Sequence, residues 1–318
     1  MNARILTAAT LAVAFTGVLP ARAADPKLVA LVMPDAVVVA GVNVDQAKAT
    51  PFGQYVLNQI QSTQDQKLQE LMTLAGFDPT KDVSELLVAS NSVGKGSPGG
   101  LCLGTGTFDT AKITAAATNG GGTTETYNKV TIIEDAKQTH GVAFLGSTLV
   151  IAGDLASVKA AIDQQGSAAS IPSTLAVQIN HWSTTSDAWS ISNVPLSSLQ
   201  PPQTAPNVPG LSGQGPFQSI QSAAGGVKFG NSVVVTAQAV ADNAPDAKTV
   251  ADTLTLLASL AQLQAAKDPA IASLAQAVQI GAQGSNVNVS LSIPEDQFEQ
   301  ILKSGNKSAA PHRATRKM

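Results

Sequence analysis

Apolar positions along this chain follow two spacings, and the switches between them mark its elements. Residues 36–44, Ala-Val-Val-Val-Ala-Gly-Val-Asn-Val, form a β-branched run that predicts a strand. Thr50-Pro51 follows, a capping residue with proline at the first helical position. Phe52, Val56 and Ile60, then Leu68, Leu71, Met72 and Ala75, keep helical spacing as far as Gly76, a C-terminal cap. Strands are expected at 85–90 and 100–107, joined by the glycine-rich loop 94–100. Asp109 is placed to cap a short helix that stops at Asn119-Gly120. Two further strands, 129–134 and 141–151, lead to Asp154, where a helix begins with Leu155, Val158 and Ile162 on one face and ends at Gly166.

Beyond a junction at 166–174 the order repeats loosely. A strand at 188–194 precedes the proline-rich stretch 200–216, and Phe217 follows Pro216 as Phe52 follows Pro51. Strands at 225–229 and 232–239 lead to a long helix from Pro245, with Val250, Leu254, Leu257, Ala258 and Ala261 at helical spacing. Asp268-Pro269 opens another helix. Residues 279–282 and 286–293 form a hairpin through Gln283-Gly284-Ser285, and a last helix carries Phe298, Ile301 and Leu302. The halves match best at their ends. Residues 148–154 running into Val158 and Ile162 parallel 289–295 running into Phe298, Ile301 and Leu302.

The expected class is α+β: two similar lobes of mostly antiparallel strands with packed amphipathic helices, spanning 24–168 and 174–303. A cleft between such lobes is the default place for a ligand. In this order of elements the chain resembles uncharacterised exported bacterial proteins with duplicated α+β halves. The resemblance covers most of the chain beyond residue 23, rests on no motif, and carries over no functional residue.

Two segments lie outside the lobes. Residues 1–23 read as a cleavable export signal: Arg4, an apolar run from Ile5 to Leu19, the helix breaker Pro20, then Ala21-Arg22-Ala23 before a cut at Ala24. The apolar run, ~15 residues, is shorter than the roughly 20 needed to span a bilayer. Cys102 is the only cysteine, so no cysteine is available to carry a lipid at the mature amino terminus. The expected product is soluble, in the periplasm or outside the cell, and not a lipoprotein. Residues 304–318 form a basic polar tail, expected to be disordered. It is either an inert extension or an electrostatic contact to anionic envelope surfaces, worth roughly 1 kcal/mol per basic residue.

Charge narrows the partners. Seven of the 19 basic residues lie in residues 1–23 and 303–318, leaving 12 against 22 acids in the body. Such a body repels phosphate backbones, and an aromatic content of 4% offers few stacking platforms, which argues against nucleic acid. No later stretch reaches membrane-spanning length without a charge; the long helix carries Lys248 and Asp252.

Candidate chemistry is sparse. The sequence has no Gly-x-Ser-x-Gly elbow and no calcium loop, and three histidines with one cysteine do not make a zinc cluster. The carboxylate pairs Glu134-Asp135 and Glu295-Asp296 are adjacent residues, which on a strand face opposite ways. Gly94-Lys95-Gly96-Ser97-Pro98-Gly99 has the spacing of a dinucleotide turn, but Pro98 removes a donor and a strand follows, so it reads as a loop. Cys102 reads as a small buried hydrophobe. No catalytic residue, metal or cofactor is assigned.

Trp182 and Trp189, with His181 beside the first, are the candidate ligand-binding residues. They are either a binding wall at the cleft or buried anchors that seal the halves together. The leading reading is a non-enzymatic binding or interaction module of the cell envelope, with an envelope protein as partner. The alternatives are a carrier of a small apolar ligand or lipid, and a hydrolase in which His181 pairs with Asp187.

Overall fold

The computed structural model of the protein describes residues 23–51, 53–54, 73–93, 99–165, 171–198, 215–264, 274, 276–294 and 297. Residues 1–22 of the expected export signal, the basic tail, the loop 94–98, most of the proline-rich stretch and most of the expected helices at 50–76, after Asp268 and after Pro294 lie outside the described residues.

The first half opens with a single turn, α1 (Pro26–Val29), capped by Asp25. Then come β1 (Val38–Asn43), α2 (Val44–Lys48), α3 (Pro79–Asp82), β2 (Val83–Ser90) and β3 (Gly100–Gly106). Next are α4 (Thr110–Asn119), β4 (Thr123–Tyr127), β5 (Val130–Glu134), β6 (His140–Leu145), β7 (Leu149–Asp154) and α5 (Leu155–Gln164). The second half comprises α6 (Ser173–Thr185), β8 (Ala188–Ser192), β9 (Ile220–Lys228), β10 (Ser232–Ala241), α7 (Ala244–Gln264), β11 (Val278–Gln283) and β12 (Asn286–Pro294). Among the described residues no helix is long and apolar enough to cross a membrane.

Local signals act where they were expected. The Asp109 carboxylate accepts from Lys112 N at 3.1 Å and starts α4, and that of Asp154 accepts from Ser157 N at 3.0 Å and starts α5. Residues 141–151, expected as one strand, instead fold back at 146–148 into the β6–β7 hairpin. Five of these elements were not anticipated: the short helices α1, α2 and α3 hold too few residues to show a helical period, the Thr-rich β4 has no apolar alternation, and α6 begins at the end of the expected junction and fills the stretch before β8.

Among the described residues the twelve strands join one antiparallel sheet, in the order β11-β12-β10-β9-β8-β1-β2-β3-β7-β6-β5-β4. The α+β class therefore holds, with the halves meeting through the β1–β8 ladder, where Gly41 stands opposite Trp189. Each half begins as a three-strand meander, passes through a helix, and returns a strand beside the third of the meander: β7 beside β3, β12 beside β10. Strand pairing occupies the boundary where a cleft between lobes was expected.

One row of paired residues crosses the whole sheet: Gln279, Ser290, Thr236, Gly226, Trp189, Gly41, Leu87, Leu103, Ile151, Ala143, Ile132 and Glu125. Directly opposed residues of antiparallel strands share a face, so this row samples one face from edge to edge. From Leu87 to Ile132 it is fully buried. Leu28 of α1, Val158 of α5 and Leu175 of α6 belong to the same core. A second cluster, including Phe108, Ile113 and Val83, covers the opposite face of the first half. A third sits under α7, where Ala247 and Val250 pack with Phe217, Ile220 and Val287. The polar end of the row, in β10, β12 and β11, joins none of these clusters.

Candidate functional site

Helix α6 begins after Pro172 without a side-chain cap. Its Leu175, Ile179 and Trp182 are spaced by four and three residues and are buried. They pack with Trp189 and Ile191 of β8. Ser183 on the same helix accepts from Ala24 N at 3.1 Å and ties α6 to the start of the first lobe. In the last turn the hydroxyls of Thr184 and Thr185 donate to the carbonyls of Asn180 and His181. His181 and Val177 stay exposed beside this buried stripe.

Alternation on β10 and β12 shapes the surface beside this helix. Thr236, Gln238 and Val240 share one face of β10, and Asn288 and Ser290 stand opposite Gln238 and Thr236 on β12. The intervening apolar residues face α7, as Ala239 and Val287 show. A polar sheet face thus lies beside α6. Between them runs a groove with a larger chamber of roughly 540 Å³ and a smaller one of roughly 340 Å³, joined by His181, Trp182 and Gln238, which line both.

The groove is graded. Its smaller end is walled by Val177, Ala224 and Val240, and its larger end by Thr185, Thr236, Gln279 and Asn288. Among the described residues its lining carries no Asp, Glu, Lys or Arg. Gln238 Nε2 donates to Asn288 Oδ1 at 3.0 Å, which orients both amides on the floor. Amides, hydroxyls, an imidazole and an indole edge offer paired donors and acceptors to an uncharged ligand.

The residues singled out in the sequence separate here. His181 and Trp182 both line the groove, although Trp182 is only 7% exposed. Trp189, at 6% exposure, lines neither chamber. Its indole lies over Gly41, where a Cβ would sit 2.6 Å from Trp189 Cζ2. Glycine is what lets the ring cross the seam between the halves. Asp187 is buried. It accepts from Phe229 N at 2.6 Å and lies 3.8 Å from Lys228 Nζ, with no hydrogen bond to His181. That arrangement anchors the end of β9.

Other titratable groups are absorbed structurally. Asp154 also accepts from Gly99 N and Gly100 N, both at 3.1 Å. Partial burial pushes its carboxyl up, but the N–H donors outweigh this and hold it below the usual carboxylate range. Burial pushes the Cys102 thiol up, away from the reactive thiolate. At the far end of the sheet Lys159 pairs with Glu125 at 2.7 Å. Glu125, hydrogen-bonded first to Lys159 and then to Glu134, is held low, whereas Glu134 is raised first by its hydrogen bond to Glu125 and then by burial. Among the described residues no three His, Cys, Asp or Glu side chains converge as metal ligands.

Sequence reasoning did not select Thr236, Gln238, Gln279, Asn288 or Ser290. The signal was present in the strict polar–apolar alternation of Thr236-Ala-Gln238-Ala and Asn286-Val-Asn288-Val-Ser290. It announces a sheet with one open face.

With fold and groove in view, the chain can be set beside known proteins. The fold is similar to that of TP0453. Crystal forms III and IV of TP0453 align with TM-scores of 0.53 and 0.52 at 11% and 10% identity. The alignments cover 88% and 86% of this chain and 98% and 95% of TP0453. The likeness spans both halves and concerns the fold alone. No family model matches the chain, and no curated protein does.

Proposed function

We propose that this chain is an exported, non-enzymatic binding module of the cell envelope, and that its ligand site is the groove between α6 and the open face of β10, β12 and β11. The observation that carries the reading is the groove's lining: a graded wall of apolar and uncharged polar side chains around His181 and Trp182. The amide and hydroxyl floor favours a ligand that exchanges hydrogen bonds, from a small molecule or a partner's exposed segment, over a purely apolar cargo. The signal pattern of residues 1–23 supports export. The resemblance to exported bacterial proteins with duplicated halves agrees with it.

The test is native mass spectrometry of the mature chain, residues 24–318, recovered from its own envelope, beside the variant Gln238→Lys. The lysine places a charge on the groove floor at an exposed position. Wild type is expected to retain a small molecule or partner at fixed stoichiometry, and the variant to lose it with its melting temperature unchanged. A wild type that carries nothing, or a variant that binds as well, overturns the reading.

A further inference from the structure

The two edges of the sheet are built differently. On the β4 edge, Glu125 puts a charge on the strand and pairs with Lys159, while the Tyr127 hydroxyl donates to Asp163 at 2.8 Å. Charges on an edge strand are a common guard against strand addition. On the β11 edge, Val278-Gln-Ile-Gly-Ala-Gln283 has no charge and no proline, and it pairs with β12 through six consecutive residues without a bulge. Among the described residues nothing pairs with its outer side.

Hairpin geometry tells which backbone groups face outward. Gln283 and Asn286 flank the two-residue turn Gly284-Ser285, with Gly284 at φ +56°. The pair flanking such a turn is hydrogen-bonded, and bonded pairs alternate along an antiparallel ladder. Gln283, Gly281 and Gln279 therefore turn their N–H and C=O groups toward β12. Val278, Ile280 and Ala282 present theirs to the outside.

We propose that β11 pairs with β11 of a second copy of this chain, antiparallel, about a two-fold axis through Ile280. In this register Ile280 opposes Ile280 and Val278 opposes Ala282, so every outward N–H and C=O of those three residues finds a partner. Apolar side chains meet on one face, and Gln279 meets Gly281 on the other. No charge opposes a charge. The register therefore fits a second copy without repulsion.

Helix α7 supplies a second, independent feature. It packs over β11 and β12 on the apolar face, and Leu256 and Leu260, one turn apart, are 59% and 45% exposed. A two-fold axis normal to the sheet sets α7 beside its mate at roughly 10 Å, given strands ~4.8 Å apart, which is within helix-packing distance. Leu256 and Leu260 are exposed apolar side chains on that helix, available to such a pair.

Light scattering of the mature chain and two variants tests this. Wild type at tens of micromolar is expected at twice the chain mass. Ala282→Pro removes only an outward N–H and leaves the β12 ladder whole; it is expected to be monomeric with unchanged circular dichroism. Independently of that variant's folding, Gln279→Cys with Gly281→Cys in a Cys102→Ser background is expected to form disulfide-linked dimers on mild oxidation, because residues 279 and 281 face each other across the axis within disulfide reach. Gln279→Cys alone, in the same background, is expected not to cross-link. A monomeric wild type, a dimeric Ala282→Pro, or equal cross-linking by the single and double variants overturns the proposal. None of these outcomes depends on groove occupancy, so the dimer and the binding reading can fail separately.

Discussion

The row that crosses the sheet changes chemistry at the Trp189–Gly41 seam. Toward β4 it runs through Leu87, Leu103 and Ile151, sealed with the apolar faces of α1, α5 and α6. Toward β11 it runs through Gly226, Thr236, Ser290 and Gln279, with α6 alongside and, among the described residues, no helix seated on top. Both halves use a three-strand meander and a returning strand. The difference lies in helix coverage. Where helices close the face the row is aliphatic, and where water reaches it the row is amide and hydroxyl. A groove forms at the border because α6 has one flank against each kind of surface.

Truncation on the two sides of the seam should give the widest contrast. Leu103→Ala empties a fully buried site and is expected to cost roughly 2–5 kcal/mol in denaturant unfolding. Thr236→Ala, in the same row on the open side, is expected to stay within about 0.5 kcal/mol. Equal losses would mean that the open face is closed in solution.

The seam itself comes next. Gly41→Ala pushes a methyl group into the Trp189 ring and is expected to cost about 1–3 kcal/mol, with a shift in tryptophan emission. Unchanged stability and emission would show that the indole does not lie across the glycine.

A smaller effect is expected at the β4 edge. Glu134 is 5% exposed, and its hydrogen bond to Glu125, then burial, raises it. The folded state holds this proton more tightly than the unfolded chain, so ionisation costs stability as pH rises from the ordinary glutamate range through the raised value. Glu125, held low first by Lys159, acts in the opposite sense: its contribution is present above the ordinary range and is lost as pH falls through its lowered value. Glu134→Gln keeps a donor for Glu125 and removes the titration. Its melting temperature should exceed that of wild type at neutral pH and converge with it in acid. A variant that melts lower at neutral pH would show that the two carboxyl groups share no proton.

Short-range features were legible in the sequence because a few neighbouring residues encode them. Asp109 and Asp154 cap helices through contacts three residues away, and Gly284 bends a hairpin within its own turn. The tryptophans were legible as large groups needing burial. Their separate roles were not, since Trp189 is defined by Gly41, a residue 148 positions away in the chain. Helix α6 was obscured because Ser, Thr, Asn and His surround Leu175, Ile179 and Trp182, and no side chain caps its start. Its apolar stripe has meaning only over β8.

By itself, the sequence determined the acidic body, the α+β class and the alternation that leaves one strand face polar. Each follows from composition or from spacing over a few residues. The single sheet, the β1–β8 seam, the separation of His181 from Asp187 and the position of the groove were decided by tertiary structure. Strand partners and helix coverage arise from contacts between residues far apart in the chain, which no local period records.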